Sequence, residues 1–102
     1  MASDKDFLIY VLDQLSDIDG ISYRAMMGEY VIYCRGKVVA GIYDDRFLVK
    51  PTKSAKALIP EPIYELPYNG GREMIAADID DRELMNELIP AIADDLPEPK
   101  RK

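Results

Sequence analysis

Residues 29–50 read EYVIYC-RG-KVVAGIY-DD-RFLVK. Three apolar runs are separated by two-residue breaks, Arg35-Gly36 and Asp44-Asp45, and this is the pattern of an antiparallel meander. Glycine accepts a positive φ at no steric cost, and aspartate tolerates it better than most residues, so both breaks suit tight turns. The residue types of this stretch indicate no chemistry; they indicate a soluble α+β domain.

The two breaks predict a strand register, and the register divides the meander into two faces. Cys34 is expected opposite Lys37, and Tyr43 opposite Arg46. Side chains alternate across a strand, so one face should collect an uncharged set that forms the core. That set is Val31, Tyr33, Val38, Ala40, Ile42, Phe47 and Val49. The other face should be half apolar with a basic rim, and it collects Tyr30, Ile32, Cys34, Val39, Tyr43 and Leu48, edged by Lys37, Arg46 and Lys50.

This second face is the candidate partner-binding surface, because tyrosine with an arginine rim suits protein interfaces. Two other uses of the face are open. A helix of the same chain could cover it, or two copies of the chain could pair through it as a two-fold dimer.

The rest of the chain predicts helices and strands around the meander. Before the meander, helical spacing and breaker residues indicate a helix capped by Ser3 and ended by Asp19-Gly20, followed by a strand at 21–26. After the meander, they indicate a short helix capped by Thr52 and an extended edge piece at 63–66. A strand at 73–79 and a last helix capped by Asp80 or Asp81 complete the chain of predicted elements. Pro90 lies inside that last helix and predicts a kink or a break into two short helices. The fold class is therefore α+β, with an antiparallel sheet made of one strand, a three-stranded meander and a late strand, packed with N-terminal, middle and C-terminal helices. Residues 1–96 should form one domain, and residues 97–102 a disordered tail.

Composition narrows the classes of function. The chain has no histidine, which excludes histidine acid–base catalysis and histidine-ligated metals. Cys34 has no second cysteine to pair with and is interpreted as a small hydrophobe rather than a reactive thiol. The acidic residues at 78–83 fit helix capping better than a calcium loop. We therefore expect no enzyme activity, no cofactor and no metal.

Location and charge add two further expectations. No apolar run approaches the roughly 18 residues that a membrane span needs, and the start is acidic where a signal peptide is basic, so a cytoplasmic protein is expected. Net charge is −6, yet residues 21–60 carry seven bases and three acids. This basic island is either a solvated face or a surface for an acidic or anionic partner. Weak direct nucleic-acid binding by residues 35–56 is an alternative. The net negative charge of the chain argues against it, because nucleic acids are bound through positive charges.

A spaced set of motifs resembles the TfoX N-terminal domain family (TfoX/Sxy-like proteins). The usual form of its first motif is an Arg, a gap, then Met-Phe-Gly-Glu; here Arg24, Met26, Gly28 and Glu29 match, and Met27 replaces the Phe. Tyr33, Gly36 and the run RFLVKP at 46–51 extend the likeness, which covers roughly residues 5–96. Gly28 is expected to supply a special backbone conformation or a close approach between strands, and Arg24 to pair with Glu29.

The resemblance implies an α+β domain with a central antiparallel sheet and some likeness to secretion-chaperone folds. Full-length members are bacterial regulators of natural competence, thought to act on transcription with the cyclic-AMP receptor protein, and they also carry a C-terminal domain. The family has no established catalytic residues. We expect a stand-alone N-terminal domain that acts as a non-catalytic regulatory or adaptor module through contacts with a protein partner, such as a transcription regulator. A chaperone-like homodimeric module is the other alternative.

Overall fold

The computed structural model describes residues 5–97 and contains, within that range, three helices and six strands. In chain order they are α1 (Lys5–Gln14), β1 (Ile21–Met26), β2 (Glu29–Cys34), β3 (Lys37–Tyr43), β4 (Arg46–Val49), α2 (Lys53–Leu58), β5 (Tyr64–Glu65), β6 (Met74–Ala76) and α3 (Arg82–Asp95). The predicted α+β class is confirmed.

The six strands form one antiparallel sheet in the order β1-β2-β3-β4-β6-β5. Strands β1 to β4 are joined by two-residue turns, Met27-Gly28, Arg35-Gly36 and Asp44-Asp45, and all six turn residues have positive φ. Such turns match the right-handed twist of the strands that they connect. The predicted meander is confirmed, and it gains one more hairpin at Met27-Gly28. The extended piece at the edge of the sheet is also confirmed, as β5.

All three helices pack on one side of the sheet, which we call the helix side; the opposite side is the open side. Leu8 and Val11 of α1, Ala55 of α2 and the buried stripe of α3 share one apolar cluster with strand residues of the helix side. The strand residues of that cluster are Ile32, Cys34, Val39, Ala40, Ile42, Phe47, Val49 and Ile75. Burial of this continuous set dominates the stability of the fold.

The predicted caps of the two later helices are confirmed. The Thr52 hydroxyl accepts a hydrogen bond from Ala55 N at 3.3 Å, and the Asp81 carboxylate accepts one from Leu84 N at 3.0 Å. The predicted cap at Ser3 lies outside the described residues, as does the predicted tail beyond Pro97. Each observed cap satisfies a backbone donor that the helix itself leaves unpaired.

Pro90 lies within a continuous α3, so of the two predicted alternatives the break into two helices is wrong, and the kink stays a prediction. Proline lacks the N–H that would bond to the carbonyl of Asn86, and this loss weakens the helix locally. Leu88 and Ile89 before it, and Ile92 after it, are nevertheless fully buried in the same core. Packing of one apolar stripe across the proline therefore keeps the helix together.

Candidate protein-docking surface

A β-bulge in β3 overturns the predicted division of the sheet into two faces. Cys34 pairs with Lys37 and Tyr33 with Val38, as predicted, but Ile32 then pairs with Ala40 rather than with Val39. One extra residue in β3 shifts the register by one, and a shift of one residue exchanges the two faces of the partner strand. The predicted core residues Val31, Tyr33 and Val38 therefore lie on the open side, and that part of the predicted core face is wrong.

The nine residues of the predicted partner-binding face are thus divided between the two sides. On the helix side lie Tyr30, Ile32, Cys34, Lys37 and Val39, and all except Tyr30 are buried. On the open side lie Tyr43, Arg46 and Leu48, with Lys50 just after the end of β4. Leu48 is itself fully buried. A single surface made of all nine residues does not exist, and that part of the prediction is wrong.

The basic residues of the β2–β3 turn hold the C-terminal end of α3. Lys37 Nζ donates to the carbonyl oxygen of Ala93 at 2.9 Å, and Arg35 Nη2 donates to that of Pro90 at 3.1 Å and to Asp94 Oδ1 at 2.8 Å. The last turn of α3 has no basic residue of its own. The turn therefore supplies the positive charge that a helix C-terminus favours.

Cys34 lines a cleft of about 370 Å³ between this turn, residues 17–19 and α3. The thiol is buried, and its Sγ lies 3.8 Å from the carbonyl oxygen of Asp19. Its surroundings are those of a small core side chain, as the sequence indicated.

Two of the four motif residues, Gly28 and Glu29, shape turns of the meander. Gly28 has φ +85° beside Met27 at +52°, so the expected special conformation at Gly28 is confirmed. Both carboxylate oxygens of Glu29 lie 3.2 Å from Asp44 N and accept its hydrogen bond. Glu29 thereby fixes the β3–β4 turn. Arg24 and Met26 are exposed on β1, and the pairing of Arg24 with Glu29 stays a prediction.

Arg46, on the open side of the sheet, holds the segment of residues 63–68 (IYELPY), which comprises the edge strand β5 and the residues on either side of it. We call this the docking segment. Arg46 Nη1 bonds Glu65 Oε1 at 2.6 Å, and its Nη2 donates to the carbonyl oxygens of Leu66 and Pro67 at 3.1 and 3.4 Å. The guanidinium fork can hold several acceptors in one fixed geometry, which a lysine cannot do.

Two tyrosines join the docking segment to the middle of the open side. The ring centroids of Tyr43 and Tyr68 lie 6.1 Å apart at an interplanar angle of 54°. The Tyr43 ring lies over Gly41, where a Cβ atom would come within 2.6 Å of Cζ. Burial raises the pKa of the Tyr43 hydroxyl above its ordinary value. This packing gives the segment a fixed position.

The docking segment nevertheless exposes four large side chains to solvent. Ile63 is 66% and Tyr68 62% exposed, and Tyr64 and Leu66 are exposed as well, whereas Pro67 is buried. Scattered apolar residues on a surface are ordinary, but four large exposed side chains within six consecutive, anchored residues mark a candidate site of protein contact. They do not all share one face, because Tyr64 pairs with Ile75, which lies on the helix side. The sequence predicted only an extended edge strand at residues 63–66. No periodic pattern in residues 63–68 indicates that these side chains are exposed.

Among residues 5–97, each helix is too short or too polar to cross a membrane.

The described residues form a two-layer α+β domain, in which three helices cover one side of a six-stranded antiparallel sheet. The TfoX N-terminal domain model matches residues 13–89, and the chain belongs to that family. The motif residues and the Arg46 anchor lie within the matched range.

A relative from Spirochaeta aurantia is similar over nearly its whole length. It is named "Uncharacterized 12.7 kDa protein in trpE 5'region" and is 31% identical over 102 residues, which span 98% of this chain and 89% of the relative. No solved structure matched the chain significantly.

Proposed function

We propose that this chain is a non-catalytic regulatory adaptor that binds another protein through the docking segment. The observation that carries the proposal is the combination of exposure and anchoring in residues 63–68. A surface that is already ordered loses less conformational entropy on binding than a flexible loop would. Exposed Ile63 and Tyr68 supply the aliphatic and aromatic groups that serve as anchors at interfaces.

Membership in the TfoX N-terminal domain family supports a role in transcriptional regulation, and a transcription regulator is the proposed class of partner. The competence role of full-length members is the finer form of the same proposal. In this form the domain alters a regulator by contact and performs no chemistry of its own.

Contacts within the chain favour a protein partner over a nucleic acid. Three of the six basic residues in the segment 35–56 bond to other parts of the chain: Arg35 and Lys37 to α3, and Arg46 to the docking segment. Nucleic-acid affinity depends on cations free to neutralise phosphates. The basic segment therefore has fewer available charges than its sequence suggests.

The test is capture of partners from extracts of the native cell by the purified chain, beside two variants. Ile63→Ser with Tyr68→Ser removes the exposed anchors of the docking segment. Ile9→Ser is the matched control, because Ile9 is a similarly exposed apolar residue on α1. Circular dichroism first verifies that each variant is folded, and a captured regulator is then purified and titrated calorimetrically.

We expect a specific regulator to be retained by the wild type and the Ile9→Ser variant and lost by the docking variant. In cells that lack the gene, only the first two should restore its effect on transcript levels. Retention of the same proteins by all three forms would contradict the proposal that the docking segment binds the partner. Transcript levels that do not change would contradict the regulatory role.

A further inference from the structure

Strand β1 is an open edge of the sheet along its whole length. It has six residues, of which all but Ile21 are exposed, and it contains neither proline nor a bulge in its pairing with β2. The opposite edge differs, because β5 has two residues and lies between Pro62 and Pro67. Natural sheets protect their edges with short strands, prolines and charges, and β1 carries only one such feature, Arg24.

The direction of the backbone groups in β1 follows from its pairing with β2. Met26 and Glu29 flank a two-residue turn, so they form a hydrogen-bonded pair, and such pairs alternate along the ladder. Arg35 N donates to Gly20 O at 2.9 Å, which continues the same alternation at the other end. The even-numbered residues of β1 therefore bond to β2, and the N–H and C=O groups of Ile21, Tyr23 and Ala25 point outward.

These outward groups have no other backbone partner in the described chain. Apart from the β1–β2 ladder, no backbone hydrogen bond within residues 5–97 reaches Ile21, Tyr23 or Ala25. The three residues are spaced symmetrically about Tyr23. A second copy of the strand, related by a two-fold axis at Tyr23, would present the same groups in the opposite order.

We propose that two copies of the chain associate through β1, forming one continuous antiparallel sheet with Tyr23 opposite Tyr23 of the second copy. Ile21 then lies opposite Ala25 and Ala25 opposite Ile21, and each of these three pairs is closed by two main-chain hydrogen bonds. On the helix side, Tyr23 faces the same aromatic residue of the second copy, and the large Ile21 faces the small Ala25. On the open side Ser22 lies opposite Arg24.

Charge and hydrogen-bond number select this register over its neighbours. Opposite residues in a sheet share one face, so with both helix layers on the same side the register can slip only by two residues. Centring on Arg24 would oppose two like charges and bring Met27, a turn residue, into the ladder. Centring on Ser22 would leave Ala25 without a strand partner. Only the Tyr23 register pairs every outward group without opposing charges.

This association does not use the docking segment, which lies at the other edge of the sheet. In the dimer, the two docking segments would lie at the far ends of one extended sheet, where each is free to bind a partner. A two-fold adaptor of this kind suits a partner that is itself a symmetric dimer, because binding at both ends raises the effective affinity.

The first test is sedimentation velocity over a concentration series from low micromolar to near millimolar. The wild-type mass should rise from 11.6 kDa towards twice that value. Tyr23→Pro removes an outward N–H without touching the β1–β2 ladder and should hold the mass at that of a monomer. Tyr23→Ala, the matched control, loses the ring but keeps the N–H and should dimerise more than the proline variant. A wild type that stays monomeric throughout, or a proline variant that dimerises like the wild type, overturns the proposal.

The second test examines the register and does not depend on the folding of the proline variant. Ser22→Glu places an acid opposite Arg24 of the second copy at two symmetric positions, and Ser22→Arg places a base there. We expect the first change to tighten the dimer and the second to weaken it, each by about threefold to tenfold. Partner capture by the docking segment should remain in both variants. If the two charges shift the dimer dissociation constant in the same direction, or leave it unchanged, the Tyr23 register is wrong.

Discussion

Arg46 and Glu65 form an ion pair across the open side of the sheet, with 2.6 Å between Nη1 and Oε1 and each side chain about one-third exposed. The Nε atom of the same guanidinium donates to the carbonyl oxygen of Tyr43 at 3.1 Å, and Nη2 donates to two carbonyl oxygens of the docking segment. One side chain therefore couples the β3–β4 turn to residues 63–68. We therefore expect the order of the docking segment to depend on this arginine.

Replacing Arg46 by lysine tests that dependence. Arg46→Lys retains the positive charge but loses the fork that serves several acceptors at once, so the free energy of unfolding should fall by about 1–2 kcal/mol. Urea denaturation measures this loss, and hydrogen exchange should show weaker protection at residues 63–68. Arg72→Lys is the control, since Arg72 is exposed in the following loop. Equal losses in the two variants would argue against a specific role of Arg46.

Gly41 lies beneath the ring of Tyr43, where a Cβ atom would meet the far end of that ring. Gly41→Ala should displace the ring from the open side and lower the free energy of unfolding by about 1–2 kcal/mol. The displaced hydroxyl gains solvent, so the pKa of Tyr43, which burial raises, should return towards its ordinary value of 10.0. Alkaline titration followed by ultraviolet absorbance measures that change.

A double-mutant cycle provides the control for this prediction. In a Tyr43→Ala background there is no ring to displace, so Gly41→Ala should lower the free energy of unfolding much less than it does in the wild type. An equal loss in both backgrounds would show that alanine disturbs the strand itself rather than the tyrosine.

The meander was predictable because it depends on local signals. Alternating apolar residues and the two-residue breaks specify strands and turns within about twenty positions of one another, and the structure has both. The bulge was not predictable from those signals. Val39 and Ala40 are consecutive apolar residues without a glycine or proline to mark the irregularity, yet the extra residue there decides which side of β2 faces the helices.

The docking segment was unpredictable for a different reason. Prolines at 60, 62 and 67 correctly indicated an edge, but the exposure of Ile63 and Tyr68 depends on how the segment is held. That geometry comes from Arg46, which is distant in sequence and was interpreted as part of a basic rim. A long-range contact between one arginine and backbone carbonyls leaves no periodic pattern in a sequence.

Met27 occupies a backbone conformation that its side chain does not favour. Its φ is +52° at the tip of the β1–β2 hairpin, and its side chain is 98% exposed, so little packing offsets the strain. Met27→Asn creates Asn-Gly, the sequence preferred in turns with two positive φ angles. We expect the free energy of unfolding to rise by about 0.5–1 kcal/mol in denaturant titrations. Met26→Asn, one residue earlier in the strand, should give no such gain, and a decrease for Met27→Asn would show that the methionine makes stabilising contacts.

Asp95 makes part of the stability depend on acid pH. Its Oδ2 accepts a hydrogen bond from Ser54 N at 2.8 Å, so the end of α3 caps the start of α2, and this bond lowers the pKa of the carboxyl below its ordinary value of 3.8. A carboxyl whose pKa is lower in the folded state contributes stability above pH 3.8, and that contribution is lost as the pH falls through the folded value.

Asp95→Asn should therefore be less stable than the wild type at neutral pH, and the difference should disappear in acid. Urea denaturation at a series of pH values measures it, with Glu87→Gln, an exposed acid on the same helix, as the control. A difference between wild type and Asp95→Asn that is the same at neutral and acid pH would mean that the charge of Asp95 does not cap α2.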